Sequence, residues 1–158
     1  TQAKAAPRGS CGPAHSEPSM WKTWSKSGDP HSLSVREGVI ALMADAGPER
    51  KTDACLKQRM PLSGDLQISG QWSTELESGT FAQISTRFFS AEGKWVGGKG
   101  DERPYKLAAT TKQSLDWNPI ERTIRLPVDA VSVELCIELR AANGALHLRD
   151  LCLSQAAQ

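Results

Sequence analysis

An all-β, two-sheet antiparallel sandwich is the fold class that this sequence predicts, and three observations predict it. No long segment repeats its apolar residues with the 3.6-residue period of a helix, whereas apolar residues recur at every second position through much of the chain. These short runs, roughly eight or nine of them, are separated by Gly, Pro, Asn and Asp turn signals. At 158 residues, of which 39% are hydrophobic, the chain can bury one proper core and gives no reason for a second.

Residues 1–19 are rich in Ala, Pro, Gly and Ser, which predicts an extended, mobile N-terminal arm ahead of a single domain at 20–158. Trp21 and Trp24 follow, then the turn signal Ser27-Gly28-Asp29-Pro30. Leu33 and Val35, a turn at Glu37-Gly38 and the run Val39 to Met43 read as a hairpin, and 47–53 as a polar loop. From Cys55 to Leu62 the chain sets Leu56, Met60 and Leu62 against Cys55, Lys57 and Arg59. Ser63-Gly64-Asp65 turns it back, and Leu66, Ile68, Gly70 and Trp72 then share one face opposite Gln67, Ser69, Gln71 and Ser73. Phe81 to Phe89 sets Ala82, Ile84, Thr86 and Phe88 against Gln83, Ser85, Arg87 and Phe89. From Ala91 to Leu115 the alternation dissolves into Gly93, Gly97, Gly98, Gly100 and Pro104. This predicts a long excursion carrying Trp95 and Tyr105.

The C-terminal third is the most regular part. Thr123 to Leu126 leads into Pro127, after which Val131, Val133, Leu135, Ile137 and Leu139 alternate with Ser132, Glu134, Cys136, Glu138 and Arg140. Asn143-Gly144 predicts a tight two-residue hairpin turn. Leu146, Leu148, Leu151 and Leu153 form a last strand whose spacing slips by one, the signature of a β-bulge. Strands of this kind, joined by turns, predict a jelly roll.

A net charge of +1 argues against a dedicated nucleic-acid binder, which needs a basic excess to displace counterions from phosphate. No apolar run approaches the roughly 20 residues of a membrane span. The opening Thr1-Gln2-Ala3-Lys4 reads as a processed product. Cys11, Cys55, Cys136 and Cys152 contain no Cys-x-x-Cys pair, so zinc-ribbon and thioredoxin readings lack support and two structural disulfides are expected. That expectation, with the processed start, implies a secreted or periplasmic location. Asn118-Pro119 and Asn143-Gly144 start no glycosylation sequon, which points to a bacterial source. His15, His31 and His147 show no nucleophile-base spacing, and Glu134 and Glu138 stand about 13 Å apart along one strand, wider than a glycosidase pair. No enzyme, no cofactor and no metal centre is expected.

Several elements resemble the carbohydrate-binding modules of the galactose-binding-like jelly-roll class. They are the strand Gly64 to Gly70, the strand-to-turn element Phe88 to Trp95, Trp117 with Arg122 to Pro127, and the strand Asp129 to Leu135. The resemblance spans about residues 20–155 and implies a non-catalytic module that binds a polysaccharide or oligosaccharide. Where such modules carry an acidic pair before the last apolar residues, this chain has Arg149 and Asp150, and a cation there disfavours calcium. In a jelly roll the strands holding Cys55 and Cys136 are neighbours, so Cys55 is expected to pair with Cys136 and Cys11 with Cys152. Cys136 with Cys152 is the competing connectivity.

The same strand order puts the strand at 55–62 beside that at 131–141, which adjoins that at 81–90. Lys57, Arg59, Gln83, Ser85, Arg87, Phe89, Glu134, Glu138 and Arg140 then share a face outside the core. Guanidinium, amide and carboxylate groups serve sugar hydroxyls, and an aromatic ring serves the apolar side of a pyranose. The expected ligand-binding residues are therefore Arg59, Gln83, Arg87, Phe89, Trp95, Tyr105 and Glu138. The competing reading is a solvated face with cross-strand ion pairs, or a surface for a protein partner in an envelope assembly. Trp72 is expected in the core and Trp117 as a plug at one end of the sandwich.

Overall fold

The computed structural model describes residues 8–11, 21–25, 31–36, 38–45, 52–77, 81–96 and 105–155. The strands run β1 (Arg8–Cys11), β2 (Lys22–Ser25), β3 (His31–Arg36), β4 (Val39–Ala44), β5 (Thr52–Pro61), β6 (Leu66–Leu76), β7 (Phe81–Phe89), β8 (Trp95–Val96), β9 (Tyr105–Thr111), β10 (Leu115–Ile124), β11 (Ser132–Ala142) and β12 (Gly144–Gln155). One sheet is ordered β10-β6-β12-β4-β3, with β1 on β12, and the other β2-β5-β11-β7-β8, with β9 on β7. We call them the β12 sheet and the β11 sheet. All pairings are antiparallel, and the result is the two-sheet sandwich that the alternation predicts.

The core forms where the apolar halves of the two central strands meet. Val133, Leu135, Ile137 and Leu139 of β11 face Leu146, Leu148, Leu151 and Leu153 of β12, and all eight are buried. Ile40, Leu42, Leu66, Ile68, Trp72, Ile84 and Phe88 complete it, with Trp21 closing one side. Trp72 is therefore core, as its parity requires. Val131 is not: it lies before β11 begins and is exposed.

The slip in leucine spacing is a bulge. Arg149 pairs with Gln71 but Cys152 with Ser69, so β12 carries one extra residue opposite Gly70, and Asp150 takes a φ of 54° to absorb it. All four leucines consequently point inward. A Cβ on Gly70 would stand 3.1 Å from the Arg149 carbonyl oxygen, so the bulged backbone approaches β6 closely at that position.

Three expectations need correcting. Asn143-Gly144 does not make a hairpin, because β11 and β12 belong to different sheets and the pair carries the chain across the sandwich. Asn143 is buried and donates from Nδ2 to Glu77 at 3.4 Å, while a Cβ on Gly144 would clash with the Glu75 carbonyl oxygen. Second, the excursion contains β8 and β9, both on β7, and the strand predicted from Thr123 begins at Leu115. Residues 97–104 of that excursion, most of the arm (1–7 and 12–19), residues 27–30 and residues 47–51 of the expected polar loop lie outside the described residues, and the last two residues of that expected loop, Thr52 and Asp53, belong to β5. Of the arm, Arg8–Cys11 is paired with β12.

The third correction is Cys55 with Cys136. The strands are neighbours, but Cys136 stands opposite Lys57 and Cys55 opposite Glu138. Such diagonal partners lie roughly 7–8 Å apart, beyond the usual disulfide span. Cys136 keeps its thiol and donates to Glu134 Oε1 at 3.6 Å. Pairing of Cys136 with Cys152 is excluded too, since they occupy outward positions on opposite sheets with the core between them. Cys11 and Cys152 are directly opposed across the β1–β12 pairing.

Candidate functional site

The outer face of the β11 sheet gathers the residues that sequence parity assigned to it. Its register forms cross-strand rows. Trp95 pairs with Phe89, which pairs with Ser132; Tyr105 pairs with Arg87, Arg87 with Glu134 and Glu134 with Arg59; Gln83 pairs with Glu138 and Glu138 with Cys55. All seven expected ligand-binding residues thus share this face on three rows, the first two adjacent and the third separated from them by the row of Ser85, Cys136 and Lys57. Tyr105 sits in β9 rather than on a loop.

Glu138 is the anchor. It is 1% exposed, and its carboxylate accepts from Gln83 Nε2 and from Arg140 Nε at 3.4 Å through Oε2, and from Arg87 Nη2 at 3.4 Å through Oε1. A buried carboxylate is tolerable only when such donors compensate its lost hydration. The effect is to hold Arg87, 17% exposed, in one place on the sheet. Its guanidinium lies 5.5 Å from the ring of Trp95, which is 56% exposed. Ser85 Oγ and Arg87 Nε are buried beside it without hydrogen-bond partners.

The second row end is built differently. Arg59 stacks 3.8 Å above the Phe89 ring and pairs with Glu134 at 3.4 Å. Phe89, apolar on a polar face, is buried beneath that guanidinium. It supports a cation and does not present its own ring. Sequence reasoning expected a polar face separable from the core. Instead Gln83, Ser85 and Glu138 are buried on it, Gln83 and Ser85 flanked by β9 and Glu138 by the Arg87 and Arg140 side chains. Chemically, the described residues of the face offer fixed guanidinium donors, hydroxyl and amide groups and the exposed indole of Trp95. Both carboxylates, Glu134 and Glu138, are engaged in ion pairs.

Trp117 is the residue whose place sequence reasoning misread. It does not plug an end of the sandwich. It lies on the outer face of the β12 sheet, 37% exposed, with the Arg149 guanidinium 4.0 Å from its ring centroid. Asn118-Pro119 immediately behind it was the usable signal, since proline inside a strand marks an edge, and β10 is an edge strand. Arg149 is thereby committed to the indole and to Gln71, at the position where the resembled modules carry an acid.

No protein-family model matches the chain, and no curated protein matches it in sequence. Solved structures do match in fold. The enzymatically active domain of tailspike protein 4 from bacteriophage CBA120 aligns with a TM-score of 0.64 at 12% identity, over 89% of this chain and 20% of that one. The CBM22-1-GH10 modules of Clostridium thermocellum xylanase 10B align at 0.62 and 12% identity, over 97% of this chain and 29% of theirs. The chain thus spans less than a third of either protein. The CBM22-1 xylan-binding domain of Paenibacillus barcinonensis Xyn10C aligns at 0.59 and 12% identity, over 98% of this chain and 99% of that domain. The resemblance read from sequence thus reappears as a likeness of structure: this chain has the jelly-roll β-sandwich fold of carbohydrate-binding modules.

Proposed function

We propose that the chain is a non-catalytic carbohydrate-binding module of a secreted or periplasmic protein, whose ligand is a polysaccharide segment lying along the outer face of the β11 sheet. The observation that carries this reading is the pairing of an exposed indole, Trp95, with a guanidinium, Arg87, immobilised by a buried carboxylate. A pyranose presents an apolar face and a rim of hydroxyls, and this pair meets both while losing little side-chain freedom on binding. Trp95 stacks on the sugar and Arg87 and Arg59 donate to its oxygens, while Tyr105 holds the register position opposite Arg87. Gln83 and Glu138 hold Arg87, and Phe89 holds Arg59. The fold likeness to xylan-binding domains supports the reading, as does the commitment of both carboxylates to arginines, which leaves neither poised as acid or nucleophile.

Calorimetry against neutral and acidic polysaccharides tests it. Trp95→Ala is the decisive variant, because its ring is exposed and its removal leaves the Glu138 cluster intact. Binding should weaken about tenfold with an unchanged melting temperature. Failure of every polysaccharide to bind, with a protein partner recovered through Arg59, Arg87 and Trp95 instead, overturns the reading in favour of an interaction subunit.

A further inference from the structure

A cavity of about 290 Å³ opens on the other side of the sandwich, on the outer face of the β12 sheet, lined among others by Ser73, Glu75, Leu115, Asp116 and Trp117. A bulge lies along it. Leu115 pairs with Thr74 but Asn118 with Trp72, so β10 carries one extra residue and Asp116 and Trp117 together oppose Ser73. The residues of this irregular stretch, on both strands, line the cavity. Its wall is tied together, since Thr74 Oγ1 donates to the Gln113 carbonyl at 2.7 Å and accepts from the Leu115 amide at 3.0 Å.

The indole on the rim is fixed in advance. Arg149 lies 4.0 Å from the Trp117 ring centroid and is itself held by two hydrogen bonds to Gln71 Oε1, from Nε at 2.9 Å and Nη2 at 2.7 Å. A surface tryptophan braced by a doubly anchored cation loses little freedom when a ligand stacks on it.

We infer that this cleft is a second glycan site, specific for a neutral pyranose unit. Small-ligand pockets begin at about 300 Å³, so the space suits one or two sugar rings rather than a long chain. Trp117 supplies the apolar platform, and Glu75, Asp116 and Ser73 supply hydroxyl partners. The two lining carboxylates, Glu75 and Asp116, outnumber the one cation described at the rim, Arg149, which Gln71 and the indole already hold, so the net charge disfavours a uronate or sulfated sugar relative to a neutral one. This face shares no residue with the β11-sheet face, so the inference stands apart from the function proposed above.

The test is calorimetric titration of the full chain with neutral gluco-, xylo-, manno- and galacto-oligosaccharides, comparing the unsubstituted chain with Trp117→Ala, Glu75→Gln and Trp95→Ala. At least one neutral oligosaccharide should still bind once Trp95→Ala has disabled the β11-sheet platform, and that remaining affinity should be about tenfold weaker when Trp117→Ala is added and weaker when Glu75→Gln is added. Glu75 is exposed, so Glu75→Gln provides a readout independent of any effect on folding. The inference is overturned if no neutral oligosaccharide binds at millimolar concentration, or if the affinity that remains in Trp95→Ala survives both Trp117→Ala and Glu75→Gln. Loss in Trp95→Ala alone assigns the ligand to the β11 sheet and likewise removes the second site.

Discussion

β11 and β12 follow one another in the chain, each is the central strand of its sheet, and each alternates an apolar inward face with a polar outward one. Their outward faces nevertheless have opposite characters. On β11, Glu138 is buried and gathers Gln83, Arg87 and Arg140 around it, while Cys136 keeps its thiol beside Glu134. On β12, Arg149 is partly exposed and stretches across Gln71 to brace Trp117, and Cys152 stands opposite another cysteine. Alternation in sequence therefore shows which residues leave the core. It does not show whether they meet solvent or a second, polar interior.

The largest expected difference lies in the cysteines. Directly opposed residues in an antiparallel pair can bring their Cα atoms about 5.5 Å apart, inside the disulfide window, and we propose that Cys11 and Cys152 are bridged. The loop so closed is nearly the whole chain, and the chain-entropy model assigns it about 5 kcal/mol. Peptide mapping without reduction should yield a Cys11–Cys152 peptide, Cys152→Ser should lower stability by that order, and Cys136→Ser should not. A mapped bridge to Cys136 would break the comparison.

Next comes the row that crosses the β12 sheet inside the core, where Trp72 pairs with Leu148 and Leu148 with Ile40. Trp72→Ala should cost about 4 kcal/mol in chemical denaturation, while Trp117→Ala, on the outward side of the neighbouring strand, should cost less than about 1. Equal losses would mean that the indole of Trp117 is structural rather than presented.

Most of this was legible from the residues because burial on one face follows the period of two. The leucine slip announced its bulge, and the strand order β5-β11-β7 put the expected binding residues on one face. The polar elements were harder to read. β9, with Lys106, Thr110 and Thr111, lacks the apolar alternation that marks a strand, because it pairs only with β7. β10 hides behind Asn118-Pro119 for the same reason, as an edge strand tolerates a residue without an amide hydrogen. Asn143-Gly144 has the composition of a hairpin turn, and only the membership of β11 and β12 in different sheets shows that it crosses the sandwich. The cysteine register was out of reach because parity fixes a face but leaves the offset along it open.

Glu138 should be the most costly polar side chain on the β11 sheet to remove. Glu138→Ala leaves Arg87, 17% exposed, and Arg140, 31% exposed, facing each other without the carboxylate that neutralises both. Orphaned charges of this kind cost about 3 kcal/mol. Arg149→Ala on the β12 sheet removes an exposed cation whose partners can turn to water, so its cost should stay near 1 kcal/mol or below, roughly the value of an exposed cation–π contact. Urea denaturation of the two variants measures the contrast directly.

The smallest effect sharpens the same point within one strand. Glu134 and Glu138 are the same residue type, four positions apart on the same face of β11, and nothing in the sequence separates them. Glu134 pairs with Arg59, whose side chain is 51% exposed and which also rests on the Phe89 ring. When Glu134→Gln removes the negative charge, the guanidinium keeps its aromatic support and its access to water, so solvent recovers most of what the ion pair provided. Stability should fall by less than about 1 kcal/mol, and the change should shrink further as salt is added. A loss as large as that of Glu138→Ala would mean that the Arg59 end of the face is as dry as its centre. Arg59 would then be a structural cation rather than a group free to meet a ligand.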